Sequence, residues 1–174
     1  MEPSAAETCP ECGAVTRVGS LTHAYVPTSP GCWETFGELQ ADELTRFEYP
    51  RAHRIVVDAY MAQHVGDSED RRQRQSVFVH LLSICFTLER SADDASGREV
   101  MRKSLESGKA RGRPEYPKLF RAPVAGELNV LSMLGARDVD DYSERSLKWA
   151  RSVWNSWAEH HALIRAQVDQ LTRR

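Results

Sequence analysis

The chain has 174 residues, 41% of them hydrophobic and 28% charged, which places it among ordinary globular proteins of one domain that need no disulfide staples. Its formal net charge of −2 removes any global pull toward nucleic acid or an anionic membrane surface. No apolar run approaches the roughly 20 residues that span a bilayer, and the acidic, polar opening Met1–Thr8 lacks the basic and apolar parts of a signal peptide. A cytoplasmic location is therefore expected, where thiols stay reduced, so the four cysteines are ligands, core residues or nucleophiles before they are disulfides.

In chain order, residues 1–28 read as irregular, with a short strand expected over Thr22–Tyr25. Ser29-Pro30 has the form of a helix start, Ser as N-cap and Pro at the first helical position, and a short helix should carry Cys32, Trp33, Phe36 and Leu39. Pro50 opens a second helix that ends before Gly66. The charged run Asp67–Arg74 reads as a loop. Ser76–Leu88 is apolar nearly all round, and its length favours a buried helix over a buried strand. Ser96-Gly97-Arg98-Glu99 matches a capping box for a helix that Gly108 can end. Residues 109–126, rich in Pro, Gly and basic side chains, form a long connection. Leu147, Ala150, Trp154, Trp157, His161, Ile164, Val168 and Leu171 alternate at spacings of three and four, the stripe of one long final helix. Asp138, Asp140 and Asp141 sit at its start, where carboxylates suit the helix dipole. The expected architecture is mainly α, a bundle of four to five helices over residues 36–174 with an irregular cysteine-bearing arm at 1–35, all in one domain.

Cys9-Pro-Glu-Cys12-Gly13 has the shape of one half of a zinc knuckle. The two-residue gap lets both thiolates bind one ion, and Gly allows the turn behind them. A second Cys-x-x-Cys pair is missing from the sequence, so the other ligands come from elsewhere. Cys32 is the third candidate, because a helix N-terminus favours a thiolate. His23 is the fourth, giving Cys-x2-Cys-x10-His-x8-Cys. In an alternative arrangement the three cysteines take their fourth ligand from a helix. The context of a redox dithiol, a strand followed by a long helix, is absent. Cys85 lies in the most apolar helix and reads as a core residue.

Five of the six histidines fall on expected helices. His161 occupies a core position of the final stripe and His80 sits in the buried helix, and a buried imidazole must find a partner. His53 and His64 are eleven residues apart, about 16 Å along a helix, so they cannot share an ion. A second site would therefore join His64, His80 and His161 from different helices, with Asp58 as a ligand or as the acceptor that fixes a histidine tautomer. The bland reading of each is a hydrogen-bonded core histidine. His160 points off the stripe, and Trp149, Trp154 and Trp157 read as core. Between Arg98 and Arg121 eight Lys or Arg face three Glu, which reads first as a solvated connection and second as a contact for phosphate or an acidic partner. With only Tyr116 and Phe120 interleaved, nucleic-acid stacking is poorly supported.

Five segments in this order resemble a bacterial family of unknown function: Cys9-Pro-Glu-Cys-Gly, Ser29-Pro-Gly-Cys-Trp, Val57-Asp-Ala-Tyr-Met-Ala-Gln-His, His80-Leu81 and Val153-Trp-Asn-Ser-Trp-Ala-Glu-His-His. The resemblance covers nearly the whole chain. The family's Gln-His is often followed by Pro-Gly, where Val65-Gly66 stands here, a difference confined to a turn. No activity comes with the resemblance. It implies only that Cys9, Cys12, Cys32, Asp58, Tyr60, Gln63, His64, His80, Trp154, Trp157 and His161 occupy motif positions. A looser, fold-level analogy is to the DinB-like four-helix bundles, which set three histidines around a metal and include thiol transferases. Their last-helix ligands commonly lie four residues apart, and here Trp157 stands four before His161.

Two functional expectations follow. One is a zinc-dependent helical protein with an interior metal or catalytic site at His64, His80 and His161, acting on a small molecule. The other is a non-enzymatic zinc-stabilised adaptor that meets a protein partner through its arm or basic connection. Either can be a monomer or a homodimer. Phosphate-cradling glycine loops, nucleophile elbows and His-Glu-x-x-His are absent from the sequence.

Overall fold

A computed structural model of the chain describes residues 5–47, 52–66, 69–90, 99–106, 116–119 and 127–173. It is mainly helical, as expected. The helices are α1 (Pro30–Arg46), α2 (His53–Gln63), α3 (Arg71–Glu89), α4 (99–106), α5 (Val139–Ser156) and α6 (His161–Thr172). Short 3-10 turns lie at Val130–Met133 and Ala158–His160. No described helix is long and apolar enough to cross a membrane.

The arm is more ordered than its sequence suggests. β1 (Ala6–Thr8) and β2 (Val15–Arg17) pair antiparallel, with Ala6 opposite Arg17 and Thr8 opposite Val15. Three-residue strands leave too few positions for an alternating pattern to show in sequence. The strand expected at Thr22–Tyr25 does not form. There the His23 imidazole accepts from the backbone N–H of Tyr25 and Val26, and so folds the chain into a side-chain-held turn.

Helix α1 starts where Ser29-Pro30 places it. The Ser29 hydroxyl accepts from the Cys32 N–H, and Pro30 occupies the first turn. The helix runs on to Arg46, well past Leu39. Its first turn docks tightly on the hairpin. A Cβ at Gly31 would come within 1.9 Å of the Arg17 carbonyl oxygen, so only glycine allows the approach. The Glu7 carboxylate accepts from the amides of Gly19 and Gly31, which ties hairpin, loop and helix together.

Helix α2 is the axis of the bundle, packed against α3 and α5. Ile55, Val56, Asp58, Ala59, Tyr60, Ala62 and Gln63 are all buried. Its start at Pro50 lies outside the described residues. Helix α3 begins at Arg71, about a turn and a half before the apolar run. Asp70 caps it by accepting from the amides of Arg72 and Gln73, and the Arg and Gln residues read as loop are good helix formers. Residues 99–106 are helical, but Ser96, Gly97, Arg98 and Gly108 of the expected caps lie outside the described residues, as does most of the basic connection.

The single final helix is corrected to two. Helix α5 ends at Ser156 and α6 starts at His161 after a 3-10 turn. Ala150, Trp154, Trp157, Ile164 and Val168 of the stripe are buried, while Leu147, His161 and Leu171 are only half-buried. The spacing survives the break because Trp157 still points inward, donating its indole N–H to the Ala62 carbonyl at 3.2 Å. Asp138 caps α5 by accepting from the Asp141 N–H.

The glycines of α1 give a matched test of the hairpin contact. Gly31→Ala should lower stability by about 1–3 kcal/mol, because the added methyl overpacks against backbone. Gly37→Ala meets nothing within 4 Å in the same helix and should raise stability by about 0.5–1 kcal/mol. Urea unfolding of both variants reads the difference. Equal effects would mean that the α1–hairpin contact is not tight.

Candidate metal centre

Four side chains from three segments of the chain converge at the junction of arm and bundle. They are Cys9 and Cys12 from the turn between the two strands, Cys32 from the first turn of α1, and His64 from the C-cap of α2. Their donor atoms all lie within 4.8 Å of one another, and all four residues are buried.

Local structure sets each donor. Gly13 takes φ +72°, a left-handed conformation natural to glycine, and its N–H bonds the Cys9 carbonyl at 2.9 Å. The Cys9 N–H in turn bonds the Ala14 carbonyl at 2.9 Å. The turn thus brings both sulfurs to one side. The Asn129 side chain donates to the Cys12 carbonyl at 3.4 Å and steadies the turn from the bundle side. Cys32 sits in the first turn of α1, at the positive end of the helix dipole.

His64 is placed by the end of α2. The last turn is pinned by two tryptophans of α5 and its C-cap: the Trp149 indole donates to the Gln63 side-chain oxygen, and Trp157 donates to the Ala62 carbonyl, each at 3.2 Å. The Gln63 amide donates to the Leu128 carbonyl at 2.8 Å. The His64 Nδ1–H donates to the Tyr60 carbonyl at 2.7 Å. That bond fixes the tautomer and turns the Nε2 lone pair toward the sulfurs, the arrangement common to metal-ligating histidines.

Three of the donor separations are close to the edges of a tetrahedral site. His64 Nε2 lies 3.5 Å from both Cys9 Sγ and Cys32 Sγ, and Cys12 Sγ lies 3.7 Å from Cys32 Sγ. Metal–sulfur arms of about 2.3 Å and metal–nitrogen arms of about 2.0–2.1 Å subtend tetrahedral edges of roughly 3.8 Å (S···S) and 3.5 Å (S···N). These three separations, with all four donors within 4.8 Å of one another, suit a cation held among them.

Electrostatics point the same way. Without a cation the cluster must hold protons. The Cys9 thiol is held far below its usual range by hydrogen bonds from Cys12, Cys32 and His64, whereas Cys12 is driven well above its usual range by Cys32, Cys9 and burial. Burial disfavours the charged His64 ring, but the hydrogen bonds and charge of Cys32 and Cys9 outweigh it and push its pKa up to about 9. A metal that takes three thiolates and a neutral imidazole displaces these protons, so its affinity falls as the pH is lowered.

Tyr60 and Thr28 surround the sulfurs. The Tyr60 hydroxyl lies 3.5 Å from Cys32 Sγ and 3.0 Å from Thr28 Oγ1, which is 3.8 Å from Cys9 Sγ. Burial and the neighbouring Cys32 keep the Tyr60 phenol neutral, able to donate to sulfur. Its ring stacks on Phe36 at 3.9 Å. Thr28 and Asn129 carry no spacing or composition signal and are visible only in the fold.

The other expected ligands lie elsewhere. The His23 ring bonds the backbone of its own turn and packs beside Trp33 at 4.7 Å, leaving the fourth position of the cysteine cluster to His64. The expected set of His64, His80 and His161 is not assembled, and the cysteine–histidine cluster is the one metal-ligand group found among the described residues. His80 bonds Asp58 at 2.7 Å. His161 stacks on Trp154 at 3.8 Å, and its Nε2 donates to the Trp154 carbonyl at 2.9 Å in a half-buried position. His53 pairs with the buried Glu43, which also accepts from the Tyr142 hydroxyl. Cys85 is buried, and burial with the nearby Glu89 pushes its thiol up to about 12, an unreactive state.

Tyr60→Phe keeps the stacked ring and removes the one phenol beside the sulfurs. Metal affinity, measured by competition with a chromophoric chelator, should fall roughly 10-fold to 100-fold while the far-UV spectrum stays unchanged. Unchanged affinity would mean that the hydroxyl serves Thr28 alone.

Residues 7–158 match the model of a family of unknown function (DUF5946), and the chain belongs to that family. The matched region contains all four residues of the cluster and ends before His161. A search of curated proteins and of solved structures finds no match.

Proposed function

We propose that the protein binds one zinc ion through Cys9, Cys12, Cys32 and His64, and that the ion is a structural clip fastening the cysteine-bearing arm to the helical bundle. The observation that carries this reading is the gathering of four buried donors within 4.8 Å of one another, with one S···S and two S···N separations close to tetrahedral edges. Three soft thiolates and an imidazole suit zinc and argue against magnesium or calcium, which take oxygen ligands.

The donor set also speaks for structure over catalysis. Catalytic zinc keeps a position for water or substrate, whereas here the chain supplies four buried donors. The four residues span the chain from Cys9 to His64, so the ion closes a long loop. Ala14, Val26 and Cys32 belong to the same apolar core as α2. Binding to such a site is coupled to folding, with apparent free energies on the order of 10 kcal/mol in zinc-finger peptides near neutral pH.

The bound ion with three thiolates carries one negative charge. The N-terminus of α1, the Asn129 amide and the Tyr60 hydroxyl are the nearby groups that temper it. This supports a closed, inert centre, with any small-molecule chemistry of the protein residing elsewhere.

Protein purified without added metal should hold one zinc per chain by elemental analysis. Cys12→Ser, Cys32→Ser and His64→Ala should each lose it and melt at lower temperature. His23→Ala, His80→Gln and His161→Ala should keep it. Zinc lost from His23→Ala and retained by His64→Ala would overturn the assignment.

A further inference from the structure

A second polar group lies between α2 and α3, apart from the proposed zinc centre. Asp58 of α2 is fully buried, a position tolerable for a carboxylate only when it is paired. Arg54 Nε stands 3.2 Å from its Oδ1, the Ser83 hydroxyl donates to Oδ2, and His80 Nδ1 donates to Oδ1 at 2.7 Å. With Nδ1 turned inward to Asp58, the opposite ring edge of His80 faces outward.

That edge borders a groove of about 400 Å³ along the first half of α3, within the range of small-molecule sites. Its lining combines polar Tyr25, Arg72, Gln75, Ser76 and His80 with apolar Val79, Met101 and Leu105. The ionisable groups among these are Arg72, Tyr25 and His80, and the lining includes no carboxylate among the described residues. Acidic side chains on the neighbouring described elements have other partners. Asp70 accepts from the amides of Arg72 and Gln73 and also feels the Arg72 charge, and Asp58 lies beneath His80 beside Arg54. Glu99 and Glu106 of α4 pair with Arg102.

Arg72 and His80 are eight residues apart, about 12 Å along the helix axis, so one small ion cannot meet both. An elongated ligand can. We infer that the groove binds a small organic anion, with its anionic head on Arg72, an apolar body along Val79, Met101 and Leu105, and a hydroxyl or amino proton at its far end presented to His80 Nε2. Asp58 is the positioning residue. Its bond to Nδ1–H leaves the Nε2 lone pair free to accept that proton, the tautomer control used wherever a carboxylate backs a histidine base. This site is independent of the zinc reading, since neither Asp58 nor His80 touches the metal centre.

The test uses zinc-replete full-length protein and nitrogen NMR of labelled imidazoles, with ω-hydroxyoctanoate as probe. The probe should shift the His80 Nε2 resonance saturably. Arg72→Met and His80→Gln should each weaken binding about tenfold or more, the loss expected of a charge-assisted hydrogen bond, with the zinc content unchanged. Octanoate, which lacks the far-end proton, should bind more weakly by a similar factor, and inorganic phosphate should leave the His80 resonance unmoved. In Asp58→Asn the His80 nitrogen shifts should report a changed tautomer before any ligand is added. Absence of a saturable shift would overturn the proposal. So would binding that survives Arg72→Met, or equal affinities for octanoate and ω-hydroxyoctanoate, which would reduce the groove to an apolar trough.

Discussion

The structure turns on the convergence of three sulfur atoms and one imidazole nitrogen at the end of α2. A short hairpin has little apolar surface of its own with which to hold the arm. Beside the Glu7 carboxylate and the close approach at Gly31, the arm meets the bundle at this cluster, shared by the turn at Gly13, the first turn of α1 and the C-cap of α2. Each partner must already be aimed. The hairpin aims Cys9 and Cys12, the Ser29 cap aims Cys32, and the Tyr60 carbonyl aims His64. The tryptophans of α5 and its C-cap hold the last turn of α2, so core packing reaches the centre through hydrogen bonds as well as through apolar contact.

Much of this was legible in sequence where local chemistry decides the structure. The Ser29-Pro30 start, the aspartates at the start of α5 and the helical, largely buried run from Ser76 to Leu88 follow from capping, dipole and burial rules, and all are present, with the ends of that run and His80 only half-buried. The three cysteines could be grouped because Cys-x-x-Cys-Gly and a helix N-terminus each favour thiolates. The fourth member was not decidable from spacing. His23 lies between the cysteines in the chain, and His64 reaches them only through the path of α2. The break at Trp157 was hidden for a related reason, since a spacing of three and four continues across a 3-10 turn when the flanking side chains still face inward. The start of α3 was misread because its first turn is charged, and its cap, Asp70, looks like any loop residue.

The histidines divide by partner rather than by position on a helix. His64 faces sulfur, His80 is backed by a buried carboxylate, His53 meets Glu43, His161 stacks on an indole, and His23 holds a turn. A histidine on an apolar face was therefore a sound marker of a buried polar contact and a poor guide to what the contact is. The division also separates two tasks. The cysteine–histidine cluster gathers four buried donors that could hold a metal ion, while His80 of the Asp58–His80 pair borders open space along α3.

X-ray absorption at the zinc edge reads the donors around the proposed ion directly. The expected result is a four-coordinate shell of three sulfurs at about 2.3 Å and one nitrogen at about 2.0–2.1 Å, with the outer-shell scattering of a single imidazole. That imidazole signal should vanish in His64→Cys while the shell becomes all sulfur. A shell with two imidazoles, with oxygen ligands, or with an imidazole that persists in His64→Cys would contradict it.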